Sequence, residues 1–232
     1  MLEDGLSYPL NGDNALARIV IGGLLGFGSF LIIPAFALMG YLVWVLGGAA
    51  RGEEEPPAFE NWGEMIVDGL KATVVALVYG IIPFALVFVS MFVIAGGGAS
   101  GSDAAAGILG GVGILGMLVS LVAMFLLYYL IPAALTNMAL EDEFAAAFDF
   151  STIKQAVLSV DYLVAWLIPF LLAAVVNVVV FALAITVVGL IVVPFLQFYV
   201  QVAAFYMFGA AFRKVVNTDG ASATGQSKST AI

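Results

Sequence analysis

Four stretches of this sequence, residues 19–50, 72–102, 104–140 and 162–212, contain no Asp, Glu, Lys or Arg. A helix needs about 20 apolar residues to cross a hydrocarbon layer roughly 30 Å thick. The first three stretches each hold one crossing and the fourth holds two. The prediction is an all-α membrane protein with five transmembrane helices, at about 19–48, 72–95, 108–135, 161–188 and 190–212. These form a single polytopic domain over 1–214, followed by a disordered cytoplasmic tail over 215–232. Composition agrees, with 63% hydrophobic and 10% charged residues against about 25% charged in soluble domains. Met1-Leu2-Glu3-Asp4 is acidic where a signal peptide is basic, and the first apolar run exceeds a leader's core. That run is therefore read as a span.

The connections are patterned. Asp13 or Asn14 is placed to cap the first helix. Residues 49–60 form an acidic, proline-broken loop. After it, Trp62, Met65, Ile66, Gly69 and Leu70 share one helical face, and Glu64, Asp68 and Lys71 the other. Asn61 and Glu64 have capping-box spacing. Two readings of residues 61–71 stay open: a separate helix lying in the membrane interface, or the wet end of span 2. After span 3, Glu141-Asp142-Glu143 leads to a second amphipathic stretch. There Phe144 and Phe148 share a face, and Asp149 or Ser151 caps a helix carrying Ile153, Ala156, Val157 and Val160. Gly189 supplies the turn between spans 4 and 5. The layout is two helical hairpins with interfacial amphipathic connections, plus one extra C-terminal helix.

The charge balance is acidic, with 16 Asp and Glu against 7 Lys and Arg. Such a chain has no electrostatic reason to bind nucleic acid. Acidic, lysine-poor polar segments rich in Ala, Val and Gly suit very high salt. At about 1 M salt the Debye length is roughly 3 Å, so crowded carboxylates repel little. Cysteine and histidine are both absent. That removes thiolate chemistry, disulfides and the commonest metal ligand and neutral-pH base. No metal and no cofactor is expected.

A short pattern recurs. Ile33-Pro34-Ala35, Ala58-Phe59-Glu60 and Ile82-Pro83-Phe84 are followed by Ile131-Pro132-Ala133, Ala147-Phe148-Asp149 and Ile168-Pro169-Phe170, and then by Val193-Pro194-Phe195. It suggests a parallel internal repeat, with chance similarity of apolar sequence as the alternative.

Other elements carry a family resemblance. They are Tyr8-Pro9, Gly12-Asp13, Gly40-Tyr41, Pro57-Ala58-Phe59-Glu60-Asn61-Trp62-Gly63 and Asp68-Gly69-Leu70-Lys71. Together they resemble a family of uncharacterised membrane proteins of halophilic archaea, known as a domain of unknown function, over about residues 8–212. More remotely, the layout is similar to membrane domains fused to some glycerophosphodiester phosphodiesterases. The resemblance implies no catalytic residue here.

The spans' cores hold no ionisable side chain, although such residues mark relays, sensors and coupled carriers. The polar residues at depth are Ser29, Ser90, Ser120, Asn177, Thr186, Gln197 and Gln201. Gln197 and Gln201 share one face of span 5, and with Asn177 they form a candidate intramembrane polar site. The alternative is interhelical hydrogen bonding, worth about 0.6 kcal/mol on average. Ser120 has no base at its depth. Gly22 with Gly26, and Gly107 with Gly111, have the spacing that lets helices approach closely. The prolines in the spans are expected to kink them.

Two functions fit. One is a non-catalytic membrane-organising or adaptor protein of the cell membrane, whose partners are the lipid bilayer and a cytoplasmic or membrane protein. The other is a passive or weakly coupled pathway for a small or lipid-like solute. An enzyme is not expected. With five spans, Arg18 alone lies on the N-terminal side, whereas Arg51, Lys71, Lys154, Arg213, Lys214 and Lys228 lie on the other. Basic residues favour the cytoplasm. The N-terminus is then expected outside and the C-terminus inside.

Overall fold

In a computed structural model of the chain, the backbone is described for residues 1–229 and the side chains for 1–216. The helices are α1 (Leu2–Ser7), α2 (Ala15–Phe27), α3 (Ile32–Arg51), α4 (Trp62–Ala99), α5 (Asp103–Glu141), α6 (Phe150–Val157), α7 (Val160–Ala184) and α8 (Val187–Ser229). No strand occurs among the described residues. Five helices, α3, α4, α5, α7 and α8, are long and apolar enough to cross a membrane. The expected tail over 215–232 lies, apart from Val215 and Val216, outside the residues whose side chains are described.

The first span departs from expectation. Instead of one helix over 19–48, α2 ends at Phe27, a 3-10 turn covers Gly28–Phe30, and Leu31 is extended (φ −92°, ψ 142°) before α3 begins. Pro34 therefore falls in the first turn of α3, where a missing N–H leaves no bond unmade. It starts a helix and does not kink one. Pro83, Pro132, Pro169 and Pro194 do lie inside helices. α2 has 13 residues, about 20 Å at 1.5 Å per residue, which is too short to cross a bilayer alone.

Packing divides the chain into two compact units, residues 1–73 with 132–232, and residues 74–131. In the larger unit, α8 packs along α2, α3 and α7. Gly22 and Gly23 make room for the rings of Phe198 and Phe195, and Gly26 meets Pro194. The Gly22/Gly26 spacing thus serves packing within the chain. The α3–α4 crossing is closer still. A Cβ on Gly40 would sit 1.8 Å from the Met65 carbonyl oxygen, and one on Gly69 1.8 Å from that of Phe36. Around it lie buried Tyr8, Tyr41, Val45, Met65 and Phe198. Tyr41 stacks on Phe59 at 4.1 Å, and Tyr8 on Tyr206 at 4.1 Å.

The broken first span changes which end of the unit holds the N-terminal segment. Tyr8 Oη donates to the Glu55 carbonyl (3.0 Å) and Asn11 Nδ2 to that of Glu54 (2.8 Å). Tyr199 Oη donates to the Leu6 carbonyl. Residues 1–14 therefore lie beside the 49–60 connection. The C-terminal part of α8 is there too, since a Cβ on Gly52 would strike Arg213. The expectation that the N-terminal segment and this connection sit at opposite ends assumed an unbroken first span, and these contacts overturn it.

In the smaller unit, α4 and α5 pack through small residues. Gly116 meets Ser90, and Gly113 meets Ile94 and Ser90. Ser90 and Ser120 donate to carbonyls of their own helices, Leu86 and Gly116. Gly107 and Gly111 face open space within the described chain.

The open question over residues 61–71 resolves as a continuous α4 of 38 residues. At about 57 Å, it exceeds the roughly 45 Å of a bilayer with its headgroups. The second connection does carry its own helix. Asp149 caps α6, accepting from Ser151 N (3.0 Å), Ser151 Oγ (2.6 Å) and Thr152 Oγ1 (2.8 Å). These bonds favour the ionised carboxyl and lower its pKa from 3.8 to about 2. A depressed pKa contributes stability above 3.8 that is lost as pH falls through 2. Hydrogen-exchange protection of α6 amides is expected to drop across that window. In Asp149→Asn, which keeps a capping oxygen without a titrating group, it stays flat; an identical profile in both proteins would contradict the cap.

The turn between α7 and α8 is Ile185-Thr186, not Gly189. Thr186 Oγ1 accepts from Gly189 N at 2.9 Å. Gly189 lies in the first turn of α8, where a Cβ would be 1.7 Å from the Leu183 carbonyl. The recurrent Ile/Val-Pro pattern does not mark equivalent places either. Pro34 opens α3, whereas Pro132 lies near the C-terminal end of α5. Chance similarity explains it better than a structural repeat.

Candidate functional site

At the end of the larger unit that holds residues 1–14, the C-terminal part of α3, the start of α4 and the end of α5 enclose a cleft of about 280 Å³. Its apolar surface comes from Val43, Trp44, Met138, Leu140 and Phe144, and its charges from Arg51, Glu64, Asp68, Lys71, Asp142 and Glu143. Helical spacing explains the placement of Glu64, Asp68 and Lys71, which follow one another on one face of α4. Asp142, just past α5, adopts φ 51°, a conformation that Asp tolerates better than most residues. It turns the chain so that Glu143 and Phe144 return to the cleft.

Both bases are already engaged. Lys71 Nζ bonds Asp68 Oδ1 at 2.8 Å, and Arg51 Nε bonds Glu53 Oε1 at 2.8 Å. Trp44 Nε1 donates to Asp68 Oδ2 at 2.9 Å, which fixes the indole as a wall. Asp68 is therefore a bonded, largely covered group (15% exposed) and not the wet carboxylate its helical face suggests. Glu64, Asp142 and Glu143 are exposed. The cleft offers carboxylates beside an oriented aromatic surface, which is chemistry for a cation.

A family model described as a protein of unknown function, DUF4013, matches residues 27–185. The chain belongs to this family. The match is narrower than the 8–212 suggested by sequence motifs. It begins at the break before α3, ends with α7, and contains every residue of the cleft. The DUF4013 match leaves out α8 and all of α2 but its last residue, Phe27. No curated protein and no solved structure matches the chain.

The structure separates the candidate intramembrane residues. Gln197 and Gln201 line a second cavity of about 360 Å³ with Ser29, Leu38, Pro194 and Phe198. Asn177 does not join them. It is exposed on α7 and donates to the Ala173 carbonyl of its own helix at 2.7 Å. Sequence shows which residues share a face of one helix but not how α7 is rotated against α8. The interfacial face also divides. Met65 is fully buried and Ile66 packs beside the core, while Trp62 and Leu70 are exposed.

Two buried polar residues, Thr136 and Asn137, escaped the sequence reading, and the burial of Arg18 was not expected. Asn137 Nδ2 donates to the Ala146 carbonyl at 2.8 Å, tying the second connection to α5. Thr136 Oγ1 donates to the Pro132 carbonyl. Arg18 is 7% exposed; its guanidinium donates to the Asn11 carbonyl and leaves Nε without a partner. Asn137 and Thr136 sit beyond Pro132 in an apolar run, and that spacing was the available signal.

Proposed function

We propose that this chain is a non-catalytic adaptor of a halophilic archaeal cell membrane. In this reading its working surface is the charged cleft, and that end faces the cytoplasm. The observation that carries it is the cleft itself: exposed carboxylates beside Trp44, with both lining bases engaged by acidic partners. The acidic, lysine-poor composition supports the halophilic setting. At such salt long-range steering is screened, so docking depends on contact-range pairing and aromatic surface. A basic segment of a cytoplasmic protein fits that chemistry.

The test is a photoreactive benzoylphenylalanine at Phe144 in the purified protein, offered an arginine-rich peptide and a glutamate-rich peptide of equal length in molar salt. Saturable cross-linking to the basic peptide is expected, weakened about tenfold by Glu64→Gln with Glu143→Gln. Equal cross-linking of both peptides, or no effect of the substitutions, would overturn the proposal. The cavity at Gln197 and Gln201 favours a second reading, a passive or weakly coupled pathway for a small or lipid-like solute.

A further inference from the structure

The end of α2 at Phe27 does more than redirect the chain. α2 runs antiparallel to α8, with Gly22 on Phe198 and Gly26 on Pro194. Where α2 stops, α8 continues, and the second cavity opens beside the 28–30 turn. Gln197 and Gln201 lie near the middle of the apolar stretch of α8, and both line this cavity. Ser29 Oγ spends its proton on the Leu25 carbonyl at 2.8 Å, leaving only acceptor capacity. Gln201 Oε1 is buried and has no partner. A buried amide oxygen left unbonded is destabilising, the more so where no water can reach it. Something that donates a hydrogen bond relieves that cost.

The surroundings narrow what it is. No charged side chain lines the cavity, so an ionised headgroup would enter uncompensated. Phe27, Phe30, Leu31 and Ile32, next to the turn, are all exposed apolar residues. In a bilayer they would sit among acyl chains, which makes the mouth accessible to molecules already dissolved in the membrane. The volume, about 360 Å³, falls in the usual range of small-molecule sites, roughly 300–1,000 Å³. We propose that the cavity at the α2–α3 break binds a neutral, hydroxyl-bearing amphiphile from the bilayer, the hydroxyl donating to Gln201 Oε1 and accepting from the Gln197 amide. The proposal rests on the solute-pathway reading only in placing a lipid-like molecule here, and it stands or falls independently of peptide docking at the charged cleft.

The test uses the full-length protein in lipid vesicles with three diazirine-labelled probes of equal chain length: a long-chain alcohol, the corresponding fatty acid, and the hydrocarbon. After irradiation, the alcohol is expected to label peptides containing residues 26–38 and 193–201 in a saturable manner. Unlabelled oleyl alcohol should compete in the wild-type protein, a readout that requires no variant to fold. Gln197→Leu with Gln201→Leu should lower this labelling about tenfold, and Asn177→Leu, outside the cavity, should leave it unchanged. Labelling spread evenly over membrane-facing residues, equal labelling by fatty acid or hydrocarbon, or failure of oleyl alcohol to compete would each overturn the proposal. Absence of labelling would mean that water alone occupies the cavity, which overturns it equally.

Discussion

Gly40→Val and Gly69→Val are each expected to destabilise the fold by about 3 kcal/mol or more, at or above the upper end of the usual 1–3 kcal/mol for overpacking. The obstacle is backbone. The new Cβ would lie 1.8 Å from the carbonyl oxygen of Met65 or of Phe36, and a main-chain oxygen in a helix cannot rotate away. The only relief is to separate α3 from α4, which pulls Met65 from its packed site and opens the Tyr41–Phe59 stack. One separation accommodates both side chains, so the double substitution should cost less than the sum of the singles. At Gly63 and Gly98 an added Cβ would meet nothing within 4 Å. Alanine there should change stability by no more than about 1 kcal/mol, with helix propensity favouring it. Thermal unfolding in detergent compares the four variants. A Gly40→Val protein as stable as Gly63→Ala would show that α3 and α4 do not cross through these glycines.

Much of the architecture is legible because charge in hydrocarbon is costly. The charge-free runs located every long helix, and Asp149 announced α6 because a capping carboxylate two or three residues before its donors is a local pattern. Features set by contacts between distant segments were harder to read. Gly40 and Gly69 both stand in the motifs that suggested a family, yet nothing in either motif states that they meet. The break at 28–31 was hidden by continuous apolarity. Its signals were Gly28 and the proline that follows the turn, and Pro34 fits equally well as a kink inside one long helix until the helix start is known. Gln197 and Gln201 line one cavity because four residues make about one helical turn. Asn177 was added by depth alone, and depth does not fix rotation. The position of Arg18 depended on the same break. Counted with an unbroken span it was the lone base on its side; with α2 and α3 folded back, it lies at the end that holds Arg51, Lys154 and Arg213.

That regrouping has the largest consequence for how the protein sits in a membrane, because the effect is all or none. Residues 1–14 contact Glu54 and Glu55, so both segments must lie on one side of the bilayer. Positive residues near helix ends favour the cytoplasm, and the six bases among the residues with described side chains cluster at this end. The proposed orientation therefore places the N-terminal segment, both long connections and the charged cleft inside, with the 100–102 turn outside. The absence of natural cysteine makes the decisive measurement clean: single cysteines at Ser7, Glu60 and Ser100, treated with a membrane-impermeant thiol reagent on intact cells and again on opened vesicles. Label is expected at position 100 alone in intact cells and at all three positions once the membrane is opened. Labelling of position 7 together with position 100, while position 60 stays protected, would restore an unbroken first span and contradict the account.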